Sequence, residues 1–479
     1  MDTRKLLSST LLYGVADVIV MAVGGFLLLP LYTRTLSQAE FGIYVITRTN
    51  TEIFTYILYF GLPSAVARVY FDYKHKNQHV EYLSSVVTFF VLNLTVFGVV
   101  MSIWGADIWL MLSPTTPVLP YLTFSLALAT VGFFATLGSL WLRLEGSATA
   151  FAALQVAAAV VLAAAATFNL VLLKTGLPGL LFALLIGSAF SALALPWLFG
   201  RAFRPVVRAQ HIADSLRYAL PIVVGYIAFF ILNRISILIL QRHVAVDQIA
   251  IYGLAQQLAM MVTIAAAAFG KAQQPAVFAS APAKAAEVME RSGNILRLLM
   301  LCITTVLVLA ANEIFLMIAP KSYGEGHEIL LFLLVASYCH SFTLVSDTTL
   351  LYHRRPKTSV AVSIVGSILS VSLSLLLIPR YQLHGAALAA ACTFFAMTLF
   401  SHSMAYRVSG QSYLRPMLLA LAAISVLAFF VAWLQRQGWP LTANLTIKAS
   451  IGAAMLASIC LIYIKRTTAK PCQVSSERL

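Results

Sequence analysis

The sequence predicts an all-α polytopic membrane protein, and three observations lead to that class: composition, apolar runs and an internal repeat. Of the 479 residues, 60% are apolar and only 10% are charged, and the mean hydropathy is +0.88. A soluble chain of this length needs far more charge to cover its surface. We expect about 14 transmembrane helices, forming two six-helix lobes around a central cavity plus two extra C-terminal helices.

Fourteen apolar stretches are long enough to cross a bilayer at about 1.5 Å of rise per residue. In order, they cover residues 8–32, 42–66, 83–105, 119–142, 149–173, 178–199, 216–240, 249–273, 293–318, 329–352, 358–378, 384–405, 414–434 and 445–464. Between Met417 and Trp433, in span 13, the single polar side chain is Ser425. The last two spans are therefore predicted to face lipid as an accessory pair.

The distribution of Lys and Arg supports this count, because the cytoplasmic loops of membrane proteins carry an excess of both. With both termini cytoplasmic, all but nine of the 32 basic residues fall in cytoplasmic segments or adjacent helix ends. The nine exceptions are Arg34, Arg48, Lys174, Arg234, Arg242, Lys321, Arg380, Arg436 and Lys448. The net charge of +15 is thus expected beside anionic lipid headgroups, and no nucleic-acid surface is predicted.

Two short matches indicate an internal repeat. Residues 41–44 (FGIY) match 249–252 (IAIY) at an offset of 208, which also places Arg34 on Arg242. Residues 177–183 match 383–389 at an offset of 206. Each half then holds an even number of spans, so the halves share one orientation and enclose a cavity. The predicted divisions are an N-terminal lobe at 1–200, a cytoplasmic linker at 201–215, a C-terminal lobe at 216–406, and an accessory helix pair with a cytoplasmic tail at 407–479.

Span 2 carries polar groups that a lipid-facing helix excludes, above all Arg48 and Glu52. At about 100° per residue, both lie on one face with Tyr44, Thr55 and Tyr59. A charge at that depth costs several kcal/mol unless it faces protein or water. One interpretation is an i,i+4 ion pair that holds helices together. The interpretation we favour is that both residues line a hydrated substrate path.

Asp17 in span 1 and Arg234 in span 7 are further charges at membrane depth. Asp17 either pairs with a neighbouring cation or titrates and coordinates an ion. Arg234 lies about one turn from the predicted outer end of its span, so it either faces the cavity or extends its guanidinium towards the interface. These residues join Arg48 and Glu52 as candidate site residues.

Other polar patterns have structural interpretations. Gln256 and Gln257 of span 8 either face the cavity or hydrogen-bond between helices. The serines of span 11 recur every three or four residues and favour a helix-packing face over a sugar-binding ladder; they are Ser359, Ser363, Ser367, Ser370 and Ser374. Residues 37–40 (SQAE) form a capping box that opens span 2, which makes Glu40 architectural. No metal or cofactor site is predicted, because cysteines and histidines lack ligand spacing and there is no P-loop.

Residues 31–44 (LYTRTLSQAEFGIY), followed by 61–72 (GLPSAVARVYFD), resemble the polysaccharide branch of the multidrug/oligosaccharidyl-lipid/polysaccharide (MOP) flippase superfamily. Residues 378–387 (IPRYQLHGAA) are similar to that family's turn between spans 11 and 12, with Gln382 where a glycine is common. The resemblance implies alternating access and an undecaprenyl-diphosphate-linked oligosaccharide as substrate. It implies a transporter of the bacterial inner membrane, not an enzyme.

The resemblance gives the candidate residues their expected roles. Arg48 and Arg234 are expected to bind the diphosphate, since the guanidinium fork suits phosphate oxygens. Asp17 and Glu52 are expected to be the acidic residues of the cavity, and the ion that they would couple to transport is H⁺ or Na⁺. Besides the lipid-linked substrate and anionic membrane lipids, a polysaccharide polymerase and a chain-length regulator are candidate partners.

Two other classes were weighed. An ion-coupled drug or cation antiporter of the same superfamily would favour an acidic cavity in which Asp17 and Glu52 dominate. A membrane polymerase or glycosyltransferase would favour a long outward loop or paired acids in a cytoplasmic loop. The outward loops here are short and no DxD motif is present, so the enzyme is the most distant of the three.

Overall fold

The computed structural model describes residues 12–14, 16, 19–20, 23–195, 203–280, 282–410, 412, 414–437, 444 and 446–455. Within these residues the fold is entirely helical, and ten helices are long and apolar enough to cross a membrane. The chain is an all-α multi-pass membrane protein, as predicted. A shorter apolar helix, Gly176–Ala192, corresponds to predicted span 6.

The helices of the first half follow the predicted spans closely. A π-helical turn, Val23–Leu27, precedes them. They are α1 (Leu29–Thr35), α2 (Gln38–Tyr59), α3 (Leu62–Lys74), α4 (His79–Leu112), α5 (Tyr121–Leu144), α6 (Ala148–Thr167) and α7 (Gly176–Ala192). Spans 1 and 14 fall partly outside the described residues, so the count of fourteen stays a prediction.

The second half continues in the same way. Its helices are α8 (Ala209–Leu240), α9 (Val246–Phe278), α10 (Pro282–Leu309), α11 (Ala311–Ile318), α12 (Gly326–Tyr352), α13 (Pro356–Ser409) and α14 (Leu414–Arg436). Helix α13 contains spans 11 and 12, and its backbone turns at Gln382, with φ 48° and ψ −123°. The turn therefore lies where the sequence placed it, at a positive φ that glycine adopts most easily.

Span 2 begins as predicted and then breaks in two. The Ser37 hydroxyl accepts from the Glu40 N–H at 3.2 Å, and Glu40 accepts from the Ser37 N–H at 2.8 Å. Glu40 also accepts from the Leu177 N–H at 3.2 Å, which ties α2 to α7. The architectural role of Glu40 is thus confirmed. Phe60 and Gly61 both adopt left-handed conformations and separate α2 from α3.

Close contacts divide the chain into two units. The first comprises Met1–Leu258, Leu316–Gly326 and Val360–Thr393, and the second comprises Ala259–Phe315, His327–Ser359 and Phe394–Leu479. This division is based on contacts between residues and does not test the sequence repeat, so the lobe boundaries stay a prediction. Each unit is described separately.

The first unit has an aromatic core between α2, α3, α4 and α5. The rings of Phe90 and Phe133 stack with centroids 3.6 Å apart, and Tyr59 packs edge-on against both. On the other side of α4, Val96 and Ile103 are 64% and 61% exposed. Such an apolar outer surface suits a lipid solvent.

The second unit is held by packing between α10 and α14 and by polar links. The Thr398 hydroxyl donates to the Cys339 carbonyl at 2.8 Å. Lys448, in the helical stretch 446–455, pairs with Glu313 of α11 at 2.7 Å although its side chain is only 5% exposed. The accessory helix α14 buries Met417, while Phe429 remains 75% exposed. Its two faces therefore differ, one packed on protein and one available to lipid.

Candidate functional site

An ion pair at membrane depth joins span 2 to span 7. The Arg234 guanidinium donates to both carboxylate oxygens of Glu52, with Nε at 3.0 Å and Nη2 at 2.7 Å. The two side chains are 23% and 29% exposed, so this is not a screened surface pair. The fork geometry is the strong, bidentate form of such contacts. Arg234 therefore points towards span 2, across the predicted boundary between the lobes, and not along its own helix towards the interface.

Arg48 lies one helical turn from Glu52, yet Glu52 is committed to Arg234. Among the described residues, none forms a hydrogen bond or an ion pair with the partly buried Arg48 guanidinium. Arg48 lies within electrostatic range of the Tyr32 hydroxyl on α1. The i,i+4 spacing therefore does not produce a local pair, and Arg48 retains its hydrogen-bond donors.

Tyrosine and glutamine side chains surround these charges. Tyr44 and Tyr56 of α2, and Tyr252 of α9, all lie within electrostatic range of Arg234. Gln256 accepts from Arg234 at 3.5 Å and donates to the Asn233 carbonyl at 2.6 Å. At the repeat offset of 208, Gln256 is the counterpart of Arg48. The repeat could have marked it as a site residue. Tyr32 and Tyr252 lie in the family motif and in the repeat match, but neither signal indicated a position beside the charges.

The remaining candidate, Asp17, lies outside the described residues, so its expected role stays a prediction. The serines of span 11 are resolved. Ser367 donates to the Ala228 carbonyl of α8 at 2.9 Å, and Ser374 lies 3.3 Å from the Ser236 hydroxyl. These are helix–helix contacts, which confirms the packing interpretation.

The predicted periplasmic side of the site is closed by contacts that repeat with the sequence. Arg34 donates to the Met317 carbonyl at 2.7 Å, and its counterpart Arg242 donates to the Met111 carbonyl at 2.9 Å. Each arginine therefore caps the C-terminal carbonyls of a helix from the other half of the repeat, where a cation is favourable. Two sites related by the repeat offset make the same type of contact.

Between these caps, α2 and α9 approach very closely. A Cβ added at Gly42 would lie 2.2 Å from the Val246 carbonyl oxygen, and one at Gly253 would lie 2.6 Å from a Val45 methyl. Val45 and Gly253 are counterparts at the offset of 208. One of these two close contacts therefore joins residues that the repeat offset relates.

The predicted cytoplasmic side is closed by a second set of contacts, between α2–α3 and α8, which we call the inner seam. The rings of Tyr56 and Tyr226 stack with centroids 6.2 Å apart, and the Tyr226 hydroxyl lies 2.7 Å from that of Ser64. A Cβ at Gly61 would lie 2.9 Å from a Val223 methyl. The charged site is thus enclosed on both sides by these three spans.

Comparisons with known proteins agree with this architecture. A family model described as "Polysaccharide biosynthesis protein" matches residues 6–281, more than half of the chain. No curated protein sequence matches the chain. Among solved structures, "Lipid II flippase MurJ, inward closed conformation" has a TM-score of 0.72 at 11% identity, covering 97% of this chain and 100% of that chain.

Two further structures share the fold. An inward-facing multidrug resistance MATE family transporter of the MOP superfamily has a TM-score of 0.60 at 17% identity, covering 87% of this chain and 94% of that chain. An outward-facing conformation of a multidrug resistance MATE family transporter of the MOP superfamily has a TM-score of 0.51 at 16% identity, covering 88% of this chain and 96% of that chain. The chain belongs to the polysaccharide biosynthesis protein family.

Proposed function

We propose that the protein is a flippase that carries an undecaprenyl-diphosphate-linked oligosaccharide from the cytoplasmic to the periplasmic leaflet of a bacterial inner membrane, by alternating access, for surface or exopolysaccharide synthesis. The observation that carries the proposal is the pair of arginines at membrane depth, Arg48 and Arg234, of which only Arg234 is neutralised by an acid among the described residues. Membership of a polysaccharide biosynthesis family supports a sugar-linked substrate.

The chemistry of the substrate matches this charge distribution. A diphosphate cannot enter hydrocarbon without losing its hydration, and two guanidinium groups can replace much of it. Glu52 holds Arg234 in place, so the cation is already oriented and largely removed from water before the substrate arrives. The diphosphate then takes the place of the Glu52 carboxylate on Arg234 and binds Arg48 as well. The lipid tail stays in the bilayer, between the lobes.

The alternative is an ion-coupled cation antiporter of the same superfamily. Such a protein would use Asp17 and Glu52 as cation sites. In the described residues Glu52 is already neutralised by Arg234, which leaves a cation at Arg48 and disfavours a second one. A drug-efflux assay beside the flippase assay separates the two functions.

Substitutions at Arg48 test the proposal. Losing one charge-assisted phosphate contact costs about 1.5–3 kcal/mol, so Arg48→Ala should lower transport of a lipid-linked oligosaccharide into vesicles about tenfold or more. Arg48→Lys keeps the charge without the fork and should recover part of the rate. Membrane abundance should stay normal, because Arg48 has no partner to leave behind among the described residues. Full transport by Arg48→Ala would refute the proposed role.

Arg234 needs a different experiment, because removing it leaves the Glu52 carboxylate without its ion-pair partner. Breaking a buried pair in this way costs about 3–5 kcal/mol, so Arg234→Ala should reduce membrane abundance. Combining Arg234→Ala with Glu52→Ala should restore abundance but not transport. Restored transport in the double variant would leave the ion pair as a structural link only.

A further inference from the structure

A cleft lies at the predicted cytoplasmic end of the inner seam, where the C-terminal end of α3 meets the N-terminal end of α8. Its volume is about 640 Å³, within the range of about 300–1,000 Å³ typical of ligand pockets. It is lined by Arg68, Val69, Asp72, Tyr73, Lys76, Asp214, Arg217 and Tyr218. Three cations, two carboxylates and two tyrosines therefore surround one cavity.

Each carboxylate of this cleft already accepts one hydrogen bond and keeps further lone pairs, whereas part of the positive charge has no partner among the described residues. Asp72 accepts from Arg68 at 2.8 Å, and Asp214 accepts from the Tyr73 hydroxyl at 2.8 Å. In the part of the chain that the structure describes, no acid or carbonyl pairs with Arg217, which is exposed. Lys76 lies 5.5 Å over the Tyr73 ring, a weak contact that leaves its ammonium protons available. Lys76 and Arg217 can therefore bind an added anion.

The mixture of groups selects a class of anion. A bare phosphate is repelled by carboxylates, and an apolar ligand gains little from five charged side chains. A glycosyl diphosphate uses both kinds of group: its phosphates accept from Lys76 and Arg217, and its sugar hydroxyls donate to Asp72 and Asp214. The ring of Tyr218, 43% exposed, offers an apolar face for the sugar.

The position of the cleft relates it to the proposed transport path. Helices α2–α3 and α8 also carry Glu52 and Arg234, which belong to different predicted lobes. Arg68 is 16 residues beyond Glu52 in the sequence, on the far side of the break at Phe60 and Gly61. Between them, the inner seam is closed by the Tyr56–Tyr226 stack. A head bound in the cleft thus waits outside the closed seam, with its lipid tail free to remain in the bilayer beside it.

We propose that this cleft captures the glycosyl diphosphate head of the lipid-linked substrate before the inner seam opens. The proposal rests on the flippase function above and adds a second, separate binding site to it. The central arginines then receive a head that is already positioned at the gap between α3 and α8.

Binding to the full-length purified protein in nanodiscs tests the cleft. The probe is a glycosyl diphosphate on a short ten-carbon prenyl chain, with inorganic diphosphate, free glucose and phosphatidylglycerol as comparison ligands. Arg217→Gln combined with Lys76→Gln should weaken probe binding about tenfold or more. Lys357→Gln, an exposed cation on the same predicted rim but outside the cleft, should change binding less than about twofold.

The Arg48→Ala variant separates this site from the central one. It should bind the probe at the cleft as the unmodified protein does, yet transport the lipid-linked oligosaccharide about tenfold or more slowly. If Arg48→Ala abolishes binding while the cleft variant binds normally, the capture site is refuted and the flippase proposal survives. If phosphatidylglycerol or inorganic diphosphate binds as tightly as the probe, the cleft is a general anion site and the proposal fails. Normal transport by Arg48→Ala with weakened binding by the cleft variant would refute the central site instead.

Discussion

Replacing Gly253 with alanine should force the outer halves of α2 and α9 apart. The new Cβ would lie 2.6, 2.8 and 3.2 Å from three carbons of Val45, whereas carbon atoms in contact prefer about 3.5–4.0 Å. Relieving this overlap needs a displacement of about 1 Å. Overpacking of this kind costs about 1–3 kcal/mol, which corresponds to roughly a 5- to 150-fold shift away from the closed arrangement. Gly42→Ala should act more strongly, because its Cβ would meet a backbone oxygen that no side-chain rotation can move.

Cysteine labelling measures this shift. In a background without the five native cysteines, Thr51→Cys places a thiol on the buried polar face of α2, where the native side chain is 6% exposed. A membrane-impermeant maleimide added from the periplasmic side should label it faster in Gly253→Ala. Gly270→Ala is the matched control, since a Cβ there on the same helix meets nothing within 4 Å.

The labelling rate distinguishes separation of α2 from α9 from a general loss of stability. A lower melting temperature with unchanged labelling would mean that the glycine serves packing alone. Equal labelling of Gly253→Ala and Gly270→Ala at equal stability would refute the argument that this contact holds the periplasmic side closed.

Two further predictions concern the turn at Gln382 and the ion pair at Glu145. Gln382→Gly should raise the free energy of thermal unfolding of the purified protein by about 1 kcal/mol, because the relief of positive-φ strain exceeds the entropy that glycine loses on folding. Gln382→Ala keeps the Cβ and should leave this free energy unchanged. A hydrogen bond from the Tyr70 hydroxyl, and then Lys74, hold the pKa of Glu145 below its usual 4.5. Their contribution is therefore present above about pH 4.5 and lost as the pH falls further. Melting temperatures of Glu145→Gln should decline less than those of the unmodified protein as the pH falls from about 5 to about 3. An identical decline in both would refute the assignment.

The sequence predicted the local features of the fold well and the distant ones poorly. The capping box at Ser37 and the turn at Gln382 depend on neighbouring residues, so their signals lie in short motifs. The sequence did not predict the break between α2 and α3, because span 2 is one continuous apolar stretch. Phe60 and Gly61 nevertheless adopt left-handed backbone conformations there. Hydropathy measures burial in lipid and not the path of the backbone.

The candidate site shows the same limit more clearly. Helical periodicity placed Arg48 and Glu52 on one face, and their i,i+4 spacing left a local ion pair as the alternative to the favoured substrate path. The partner of Glu52 is instead Arg234, 182 residues away. Periodicity fixes the direction of a side chain but not which helix stands opposite, so the pair could not be predicted without the packing of α2 against α8. The repeat offset came nearest, since it aligned Arg48 with Gln256, which contacts Arg234.

The Glu52–Arg234 pair also explains how the proposed substrate could enter a site that is closed on both sides. A buried ion pair contributes little net stability compared with apolar residues of the same size, because both ions lose their hydration. A diphosphate that displaces Glu52 from Arg234 exchanges one anion for another, and the cation is already largely removed from water. The carboxylate released in this exchange faces Arg48 one turn away and is on α2, the helix that contributes to both closed ends. In the proposed mechanism, the direct bidentate link between α2 and α8 is therefore exchanged for one through the diphosphate, and this exchange couples binding of the head to rearrangement of the two helices.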